Sequence, residues 1–303
     1  MFTKLFAESG LSLDRLRAFL AVAAAGSIVK ATAGDPVKQS QYSRQIKELE
    51  DFFRIKLMER QGRGVKLTTS GRELARISRF FLLGLSNFQR GSLSEEQTFR
   101  IGASATLIRS FLLPVLSDAR VLAGETRYVI ETVSDDEIER RLHDLRLDFG
   151  VTTQPTISRP LQLKQLSKWH LGLWVPKEMH KTDKIAGTAL KEERLPLVLA
   201  TKELEMCGMT NLVDWEPRLA CESFVEARMA MKGSRLAAIL PDFLVPPAEA
   251  RTMWRLRIPS LESGALSFRF AWNPRLLRLN PHAVRQKDFL YEALAKQMNS
   301  QAD

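Results

Sequence analysis

Residues 27–53 read SIVKATAGDPVKQSQYSRQIKELEDFF, and this stretch decides the N-terminal fold. Ser27 is well placed to cap a short helix over residues 28–33, which the Gly-Asp-Pro turn at 34–36 ends. A second helix is predicted from Lys38, because apolar residues then return at spacings of four, three and four. These residues are Tyr42, Ile46, Leu49 and Phe53. Two helices joined by a tight turn are typical of a helix-turn-helix.

The other side of the second helix is polar. It carries Gln39, Ser40, Gln41, Ser43, Arg44 and Lys47. Amides, hydroxyls and cations are the groups that hydrogen-bond base edges or phosphates in the major groove of DNA. The alternative is that Arg44 or Lys47 pairs with Glu48 or Glu50 as ordinary surface charge.

The flanking segments complete a small domain over residues 1–68. Before the quoted stretch, apolar residues at helical spacing predict a helix from Ser12 to Ala25. After it, residues 57–68 read LMERQGRGVKLT, a glycine-containing hairpin with cations near its tip. The cations are Arg60, Arg63 and Lys66. The hairpin is therefore predicted to be a wing that contacts phosphates.

The positive charge of the chain is concentrated in its first third. Residues 1–93 hold 16 lysines and arginines against 8 aspartates and glutamates, a net charge of +8. Residues 94–303 hold 29 against 27, a net charge of +2. A small basic domain joined to a nearly neutral larger one suggests a polyanion-binding head on a body with another task. With 45% hydrophobic and 26% charged residues, the chain has a globular composition, which disfavours disorder and disulfide scaffolds.

A long helix is predicted over residues 69–91. Its apolar positions are spaced by three, four, four and three residues and are Leu74, Ile77, Phe81, Leu85 and Phe88. About 22 residues at 1.5 Å each give roughly 33 Å of helix. Phe80, Leu82 and Leu83 add apolar surface around this row. The helix therefore needs partners on more than one side, and dimerisation with a second copy is predicted.

Residues 92–303 are predicted to form a second, α/β fold after the polar stretch 92–98. Strands alternate with helices there, which implies a parallel sheet with crossovers. The predicted strands are 99–103, 128–133, 147–151, 171–175, 197–199, 237–241 and 268–272, and the last helix is 283–298. We expect two lobes, with lobe I over about 97–167 and 269–303 and lobe II over about 168–268.

The head resembles the LysR-type transcriptional regulators. The resemblance spans residues 13–75 and rests on Leu16, Phe19, Val22, Ala23, Gly26, Ser27, Ala31, Gln39, Ser43, Arg44, Gln45, Ile46, Leu49, Glu50, Leu57, Arg60, Val65, Leu67, Thr68 and Gly71. The positions that depart from the family pattern are Thr32, Asp35, Lys38, Ser40, Arg54 and Met58. The rest of the chain is similar in length and landmarks to the effector-sensing domain of that family. The resemblance implies an α/β fold class with an N-terminal winged helix-turn-helix, a long linker helix and a two-lobed domain like the periplasmic binding proteins.

The resemblance also implies partners and site residues. In this family the first turns of the recognition helix read the sequence of double-stranded DNA, which here are Gln39, Ser40, Gln41, Ser43 and Arg44, with Gln39 and Ser40 expected at base edges. Phosphate contacts are expected from Arg44, Lys47, Arg60, Arg63 and Lys66. The family dimerises through its linker helix, which implies a homodimer or homotetramer controlled by a small-molecule effector.

The effector is expected in the cleft between the lobes. Hydroxyls just past strand ends face this cleft, and they are Ser104, Thr106, Ser134 and Thr201. Hydroxyls and free amides suit a carboxylate or other anion. Ser104 or Thr106 fits equally well as a helix cap without a ligand role. Met206, Met209 and Phe224 fit an apolar core better than a cleft lining.

Cys207 and Cys221 offer an alternative trigger, because some members of the family sense oxidants through a cysteine pair in this lobe. Their separation of fourteen positions is compatible with a disulfide in a loop. No nearby pattern of basic residues lowers the pKa of either thiol, so buried structural cysteines are favoured over a redox-responsive regulator.

Other function classes find little support. Two cysteines and four scattered histidines show no metal-ligand spacing, and no cofactor is expected. The chain contains no GxSxG, HExxH, P-loop or GxGxxG motif, so no catalytic residue is assigned and no enzyme is expected. No run reaches 18 apolar residues, and residues 18–25 lack the layout of an export signal. We expect a cytoplasmic regulator, and the remaining alternative is a solute-binding module without DNA function.

Overall fold

The structure is a computed structural model of the chain. It describes residues 10–62, 64–93, 97–118, 121, 124, 126–184, 186, 188, 195–209, 216–258, 261 and 266–300. The chain divides into two compact units, Met1–Ser94 and Glu95–Asp303. No helix among the described residues has both the length and the apolar character needed to cross a membrane.

Three helices build the head of the first unit. They are α1 (Leu13–Ala25), α2 (Ile28–Ala31) and α3 (Pro36–Phe53). Helix α1 is capped by the Ser12 side chain, and it ends at Gly26, whose φ of 63° is the left-handed conformation that glycine adopts without strain. Helix α2 is capped by Ser27 as predicted, but it ends two residues earlier than expected, because Ala33 has a φ of 51° that no helix accommodates.

The start of α3 corrects the prediction that this helix begins at Lys38. Asp35 is its N-cap residue, and its Oδ1 accepts hydrogen bonds from the backbone N–H groups of Val37 at 2.9 Å and Lys38 at 3.2 Å. Pro36 therefore occupies the first turn, where its missing N–H costs nothing, instead of ending the preceding segment.

The apolar faces of these helices form one core. Its buried members are Leu16, Phe19, Val22, Ile46, Leu49, Leu57 and Ala75. A hairpin of β1 (Met58–Gln61) and β2 (Gly64–Leu67) packs on this core through Met58, Val65 and Leu67. Helix α4 (Thr69–Leu93) follows directly and continues to the end of the first unit.

Glu50 joins α3 to the hairpin. Its Oε1 accepts hydrogen bonds from the backbone N–H of Leu57 at 2.8 Å and of Met58 at 3.2 Å, and its Oε2 accepts one from Lys56 Nζ at 2.7 Å. Burial opposes ionisation of this carboxyl, but the three hydrogen bonds outweigh it and lower the pKa of Glu50 below its ordinary value. The hydrogen bonds of Glu50 thus add to the apolar packing that holds the hairpin on the head.

Lobe I of the second unit is built on a five-stranded sheet in the order β4-β3-β5-β12-β6. Its strands are β3 (Gln97–Ala103), β4 (Thr126–Thr132), β5 (Phe149–Thr152), β6 (Gln162–Trp169) and β12 (Leu266–Trp272). Its helices are α5 (Ala105–Leu107), which a π-helical turn (Ile108–Leu112) connects to α6 (Leu113–Leu116), then α7 (Asp135–His143), α11 (Pro274–Leu279) and α12 (Pro281–Asn299). Phe149 packs between Phe99 and Phe270 in the core, with ring centroids 5.7 and 5.5 Å away.

Lobe II repeats the same arrangement in the order β9-β8-β10-β7-β11. Its strands are β7 (Leu171–Pro176), β8 (Leu197–Ala200), β9 (Leu219–Cys221), β10 (Ala237–Pro241) and β11 (Met253–Leu256). Its helices are α8 (Thr201–Met206), α9 (Phe224–Met231), the 3-10 turn Asp242–Leu244 and α10 (Pro247–Ala250). In each lobe three parallel strands are extended by two antiparallel ones.

The two-lobed α/β fold class is confirmed, and three strands of each sheet are parallel as expected, but two further strands of each sheet run antiparallel to their neighbours. β12 runs antiparallel to β5 and β6, and β7 runs antiparallel to β10 and β11. β7 follows β6 directly, without a crossover helix, so no geometric rule makes it parallel to its neighbours. Three edge strands, β6, β9 and β11, were not predicted. β6 carries exposed polar side chains, and β9 and β11 are only three and four residues long.

Candidate DNA-binding face and interlobe cleft

The polar side of α3 is a continuous exposed surface of the head. Ser40, Gln41, Ser43, Arg44 and Lys47 are exposed, and Gln39 is half-buried. On the opposite side Ile46 and Leu49 are buried in the head core. The helix is thus held by its apolar side, and its amides, hydroxyls and cations point to solvent.

One predicted surface pair is present on this face. Arg44 Nε lies 3.7 Å from Glu48 Oε1, while Arg15 Nε donates a closer hydrogen bond of 2.5 Å to Glu48 Oε2. The Arg44 side chain is 75% exposed, and a pair at such a site contributes only about 0–1 kcal/mol. The contact with Glu48 is therefore too weak to withhold Arg44 from a phosphate.

The hairpin separates the predicted phosphate-binding cations. Arg60 faces Val65 across the hairpin and Lys66 faces Glu59, and both cations are exposed. Because successive residues of a strand point to opposite faces, Arg60 and Lys66 lie on different faces of the hairpin. Arg63, the third predicted cation, lies outside the described residues.

Helix α4 presents an exposed apolar row. Ile77 is 55% exposed, Phe81 49%, Leu85 43% and Phe88 78%. Leu74 departs from the predicted role, because it packs against the core of its own head. We refer to Ile77, Phe81, Leu85 and Phe88 as the linker stripe.

The cleft of the second unit contains a cavity of about 20 Å³ between the lobes. It is lined from lobe I by Ser104, Thr106, Leu107, Thr153, Leu266 and Phe268, and from lobe II by Glu203, Met206, Cys207, Phe224, Pro241 and Phe243. A cavity needs about 10–15 Å³ to hold one water molecule, whereas small-molecule pockets measure about 300–1,000 Å³. In this structure the lobes are closed on each other.

The hydroxyls that sequence predicted for the cleft differ in their surroundings. Ser104 lines the cavity, but its side chain also caps α5 by accepting a hydrogen bond from the Leu107 N–H at 3.4 Å. Thr106 is 2% exposed and is bonded to Glu203. Neither Ser134, which is exposed before α7, nor Thr201, whose Oγ1 donates to the Cys221 carbonyl at 3.1 Å, is among the cavity-lining residues.

The three apolar residues considered for the cleft also differ in whether they line the cavity. Met206 and Phe224 do line the cavity, although Phe224 is almost fully buried, and Met209 is not in the lining.

Glu203 is the residue that sequence reasoning missed. Its carboxylate accepts hydrogen bonds from the Thr106 hydroxyl at 2.5 Å, the Thr106 N–H at 3.2 Å and the Phe224 N–H at 2.6 Å. Thr106 and Glu203 are 97 positions apart, and nothing local in the sequence links them. The local signal for a functional role was weak: Glu203 follows a buried strand and lies in the first turn of the next helix.

The two cysteines lack the environment of reactive thiols. Both are free, and burial together with the negative charges of Glu203 and Asp135 raises the pKa of Cys207. Burial and the nearby charge of Glu226 raise the pKa of Cys221 to about 11. Reactive cysteines have a lowered pKa, so the structure disfavours the redox-responsive alternative.

Comparison with known protein families agrees with this architecture. Residues 13–72 match the family model of the bacterial regulatory helix-turn-helix proteins of the lysR family. Residues 93–294 match the model of the LysR substrate binding domain. The two matches together cover 262 of the 303 residues.

Individual proteins are similar along part or most of the chain. The HTH-type transcriptional regulator AlsR of Bacillus subtilis is 25% identical over 64% of this chain and 65% of its own length, so the match spans just under two thirds of that relative. The crystal structure of ArgP from Mycobacterium tuberculosis has a TM-score of 0.67 at 17% identity, covering 94% of this chain and 97% of that chain.

A second structure, full-length LysG from Corynebacterium glutamicum with bound effector Arg, has a TM-score of 0.59 at 17% identity and covers 91% of this chain and 99% of that one. At these identities the structural likeness concerns the fold alone. The two family matches show common descent as well. The chain belongs to the LysR family of helix-turn-helix regulators, with the DNA-binding domain of the family followed by its substrate-binding domain.

Proposed function

We propose that this protein is a sequence-specific, DNA-binding transcriptional regulator. The observation that carries the proposal is the orientation of α3, whose apolar side is buried in the head while its polar side is exposed. A helix held in this way can enter the major groove and present side chains to base edges. The net charge of +8 on residues 1–93 supplies the attraction to a polyanion.

The side chains of the exposed face are assigned by their chemistry. Gln39, Ser40, Gln41 and Ser43 are placed at base edges, where amides and hydroxyls discriminate between bases. Phosphate contacts are assigned to Arg44, Lys47, Arg60, Arg63 and Lys66. These cations contribute affinity and register but little sequence information.

The linker stripe is assigned to dimerisation. Ile77, Phe81 and Leu85 lie four residues apart on one side of α4 and are 43–55% exposed in the single chain. A second copy of α4 would bury these side chains, and a two-fold dimer would present two heads to a two-fold-related DNA site. Leu74 is left out of this surface because it serves the core of its own head.

The second unit is proposed to couple a small molecule to DNA binding. Among the predicted hydroxyls, Ser104 and Thr106 line the cavity where the lobes meet and are assigned to the effector. Ser134 and Thr201 do not line this cavity, and their role in effector binding stays a prediction. A molecule that binds between lobes changes the activity only if it favours one arrangement of the heads. Acting on chromosomal DNA, such a regulator works in the cytoplasm and needs no catalytic residues.

Gel-shift titration with the DNA upstream of the gene tests the proposal. The double variant Ser43→Ala with Arg44→Ala is expected to weaken binding about 100-fold, because a base contact and a phosphate contact are each worth roughly 1–3 kcal/mol. The matched control is Arg235→Ala, which removes one exposed cation from the second unit and is expected to leave the affinity unchanged. Equal affinities of the double variant and the unsubstituted protein would contradict the assignment of α3.

A further inference from the structure

The cleft between the lobes already contains a carboxylate, and it belongs to the chain itself. Glu203 of lobe II is 5% exposed. Its Oε2 accepts hydrogen bonds from the Thr106 hydroxyl at 2.5 Å and the Phe224 N–H at 2.6 Å, and its Oε1 accepts one from the Thr106 N–H at 3.2 Å. In return, Thr106 Oγ1 accepts a hydrogen bond from the Val225 N–H at 3.2 Å. One carboxylate and one hydroxyl therefore tie lobe I to lobe II.

All the groups that bind this carboxylate are neutral. Within the described ranges no lysine, arginine or histidine pairs with Glu203. Burying an ionised carboxylate is costly unless hydrogen bonds replace its water shell, and here two N–H groups and one hydroxyl do so. A hydroxyl and backbone amides are also the donors expected to receive the carboxylate of a small molecule in this cleft.

The remaining space leaves no room for a second carboxylate. The cavity beside Glu203 measures about 20 Å³, enough for one water molecule, and Asp135 brings further negative charge to the neighbouring Cys207. An added anion would meet both the closed lobes and the charge of Glu203. Glu203 thus already accepts the hydrogen bonds that Thr106 and Phe224 could donate to an added anion.

We propose that Glu203 is an intramolecular ligand of the cleft, which takes the place of a small anionic effector and holds the two lobes closed without any added molecule. The inference rests on the proposed function only in treating the cleft as the regulatory site. A molecule that acts through this cleft has to displace the Glu203 carboxylate from Thr106 and Phe224, and it does not add a carboxylate of its own beside it.

The test uses thermal unfolding of the full chain with sodium propionate as the probe. Glu203→Ala removes Cγ and the carboxylate of Glu203 but keeps Cβ, and propionate offers a carboxylate on a short alkyl chain to the donors left without an acceptor. We expect its Tm to fall by about 5 °C or more, because buried donors lose their acceptor. We expect 100 mM propionate to restore roughly 3 °C relative to sodium chloride at equal ionic strength, as for a ligand with a Kd of about 10 mM.

The matched control is Glu205→Ala, which removes an exposed glutamate from the same helix. This variant and the unsubstituted protein are expected to show no specific response to propionate. A Glu203→Ala variant that is as stable as Glu205→Ala, or that gains no more from propionate than the control does, overturns the proposal.

If Glu203→Ala does not fold, the contact is tested with Glu203→Gln, Thr106→Val and the double variant, by comparing the Tm loss of the double variant with the sum of the two single losses. Both single variants break one shared contact, so the loss of Tm in the double variant is expected to be smaller than the sum of the two single losses. Strictly additive losses overturn the proposal.

Gel-shift titration of the same variants keeps the two hypotheses apart. Propionate rescue of Glu203→Ala without any change in DNA affinity supports the intramolecular ligand and contradicts the coupling of the cleft to DNA binding.

Discussion

The two units of the molecule differ in whether the groups proposed to bind a partner are exposed or buried. In the first unit, the polar side of α3 and the linker stripe of α4 are exposed, so the groups available for binding are directed away from the chain. In the second unit, the polar groups of the cleft are bonded to each other, with Glu203 and Thr106 5% and 2% exposed.

This difference separates two kinds of recognition surface. An exposed surface gains most of its binding energy from the partner, so its substitutions should change binding and leave stability unaltered. A closed cleft is part of the folded interior, so its substitutions should change stability first. The comparison therefore makes predictions for each unit, in binding constants for the first and in unfolding temperatures for the second.

The largest effect is expected at the linker stripe. Phe81→Ala with Leu85→Ala removes two exposed apolar side chains, and truncating such interface residues costs roughly 2 kcal/mol each. The dimer dissociation constant should then rise about 1,000-fold. Native mass spectrometry over a dilution series measures it, with Gln89→Ala as the control for an exposed polar position on the same helix. A double variant that remains dimeric at the same concentrations as the control would place the dimer interface elsewhere.

In the first unit, Glu50 resembles Glu203, because hydrogen-bond donors of the chain itself bind its carboxylate. Glu50→Gln should reduce the amide-exchange protection of residues 57 and 58 by about 10–100-fold, since hydrogen bonds to a charged acceptor contribute roughly 1.5–3 kcal/mol. Glu59→Gln, on the exposed side of the hairpin, is the control and should leave protection unchanged. Exchange is the appropriate measurement because all five tryptophans follow residue 168 and their fluorescence does not report on the head.

The lowered pKa of Glu50 also sets the pH dependence of the hairpin. A carboxyl whose pKa is lower in the folded state stabilises the fold above its ordinary value of 4.5, and this contribution is lost as the pH falls through the folded-state pKa. Protection of the hairpin should therefore decrease below about pH 4.5 in the unsubstituted protein but not in Glu50→Gln. Equal acid sensitivity in both proteins would show that Glu50 does not control the hairpin.

How much of each unit could be predicted follows from the range of the interactions involved. The face of α3 was predictable because Tyr42, Ile46 and Leu49 repeat at helical spacing within one helix. Asp35 was misjudged because Pro36 indicates the end of one helix as readily as the beginning of the next.

The cleft was predictable only in outline. Ser104 and Thr106 follow a strand, which a local pattern reveals, but their acceptor lies 97 residues along the chain. Helical or strand periodicity carries no information about such a partner. The antiparallel entry of β12 was missed for the same reason, because it depends on how the chain returns from lobe II.

The smallest effect is expected at the cysteines of the second unit. Cys207→Ser with Cys221→Ser should leave operator affinity within about twofold, before and after exposure to hydrogen peroxide, because thiols with a raised pKa carry almost no thiolate at neutral pH. Burial raises the pKa of Cys221 to about 11, and burial with two nearby carboxylates raises that of Cys207 further. Gel shifts with peroxide-treated and untreated protein measure the response, and alkylation followed by mass spectrometry detects any disulfide. The opposite result would be a DNA affinity that changes with peroxide in the unsubstituted protein but not in the double variant. It would show that oxidants reach the cysteines, and the second unit would then not be closed as the comparison with the first unit requires.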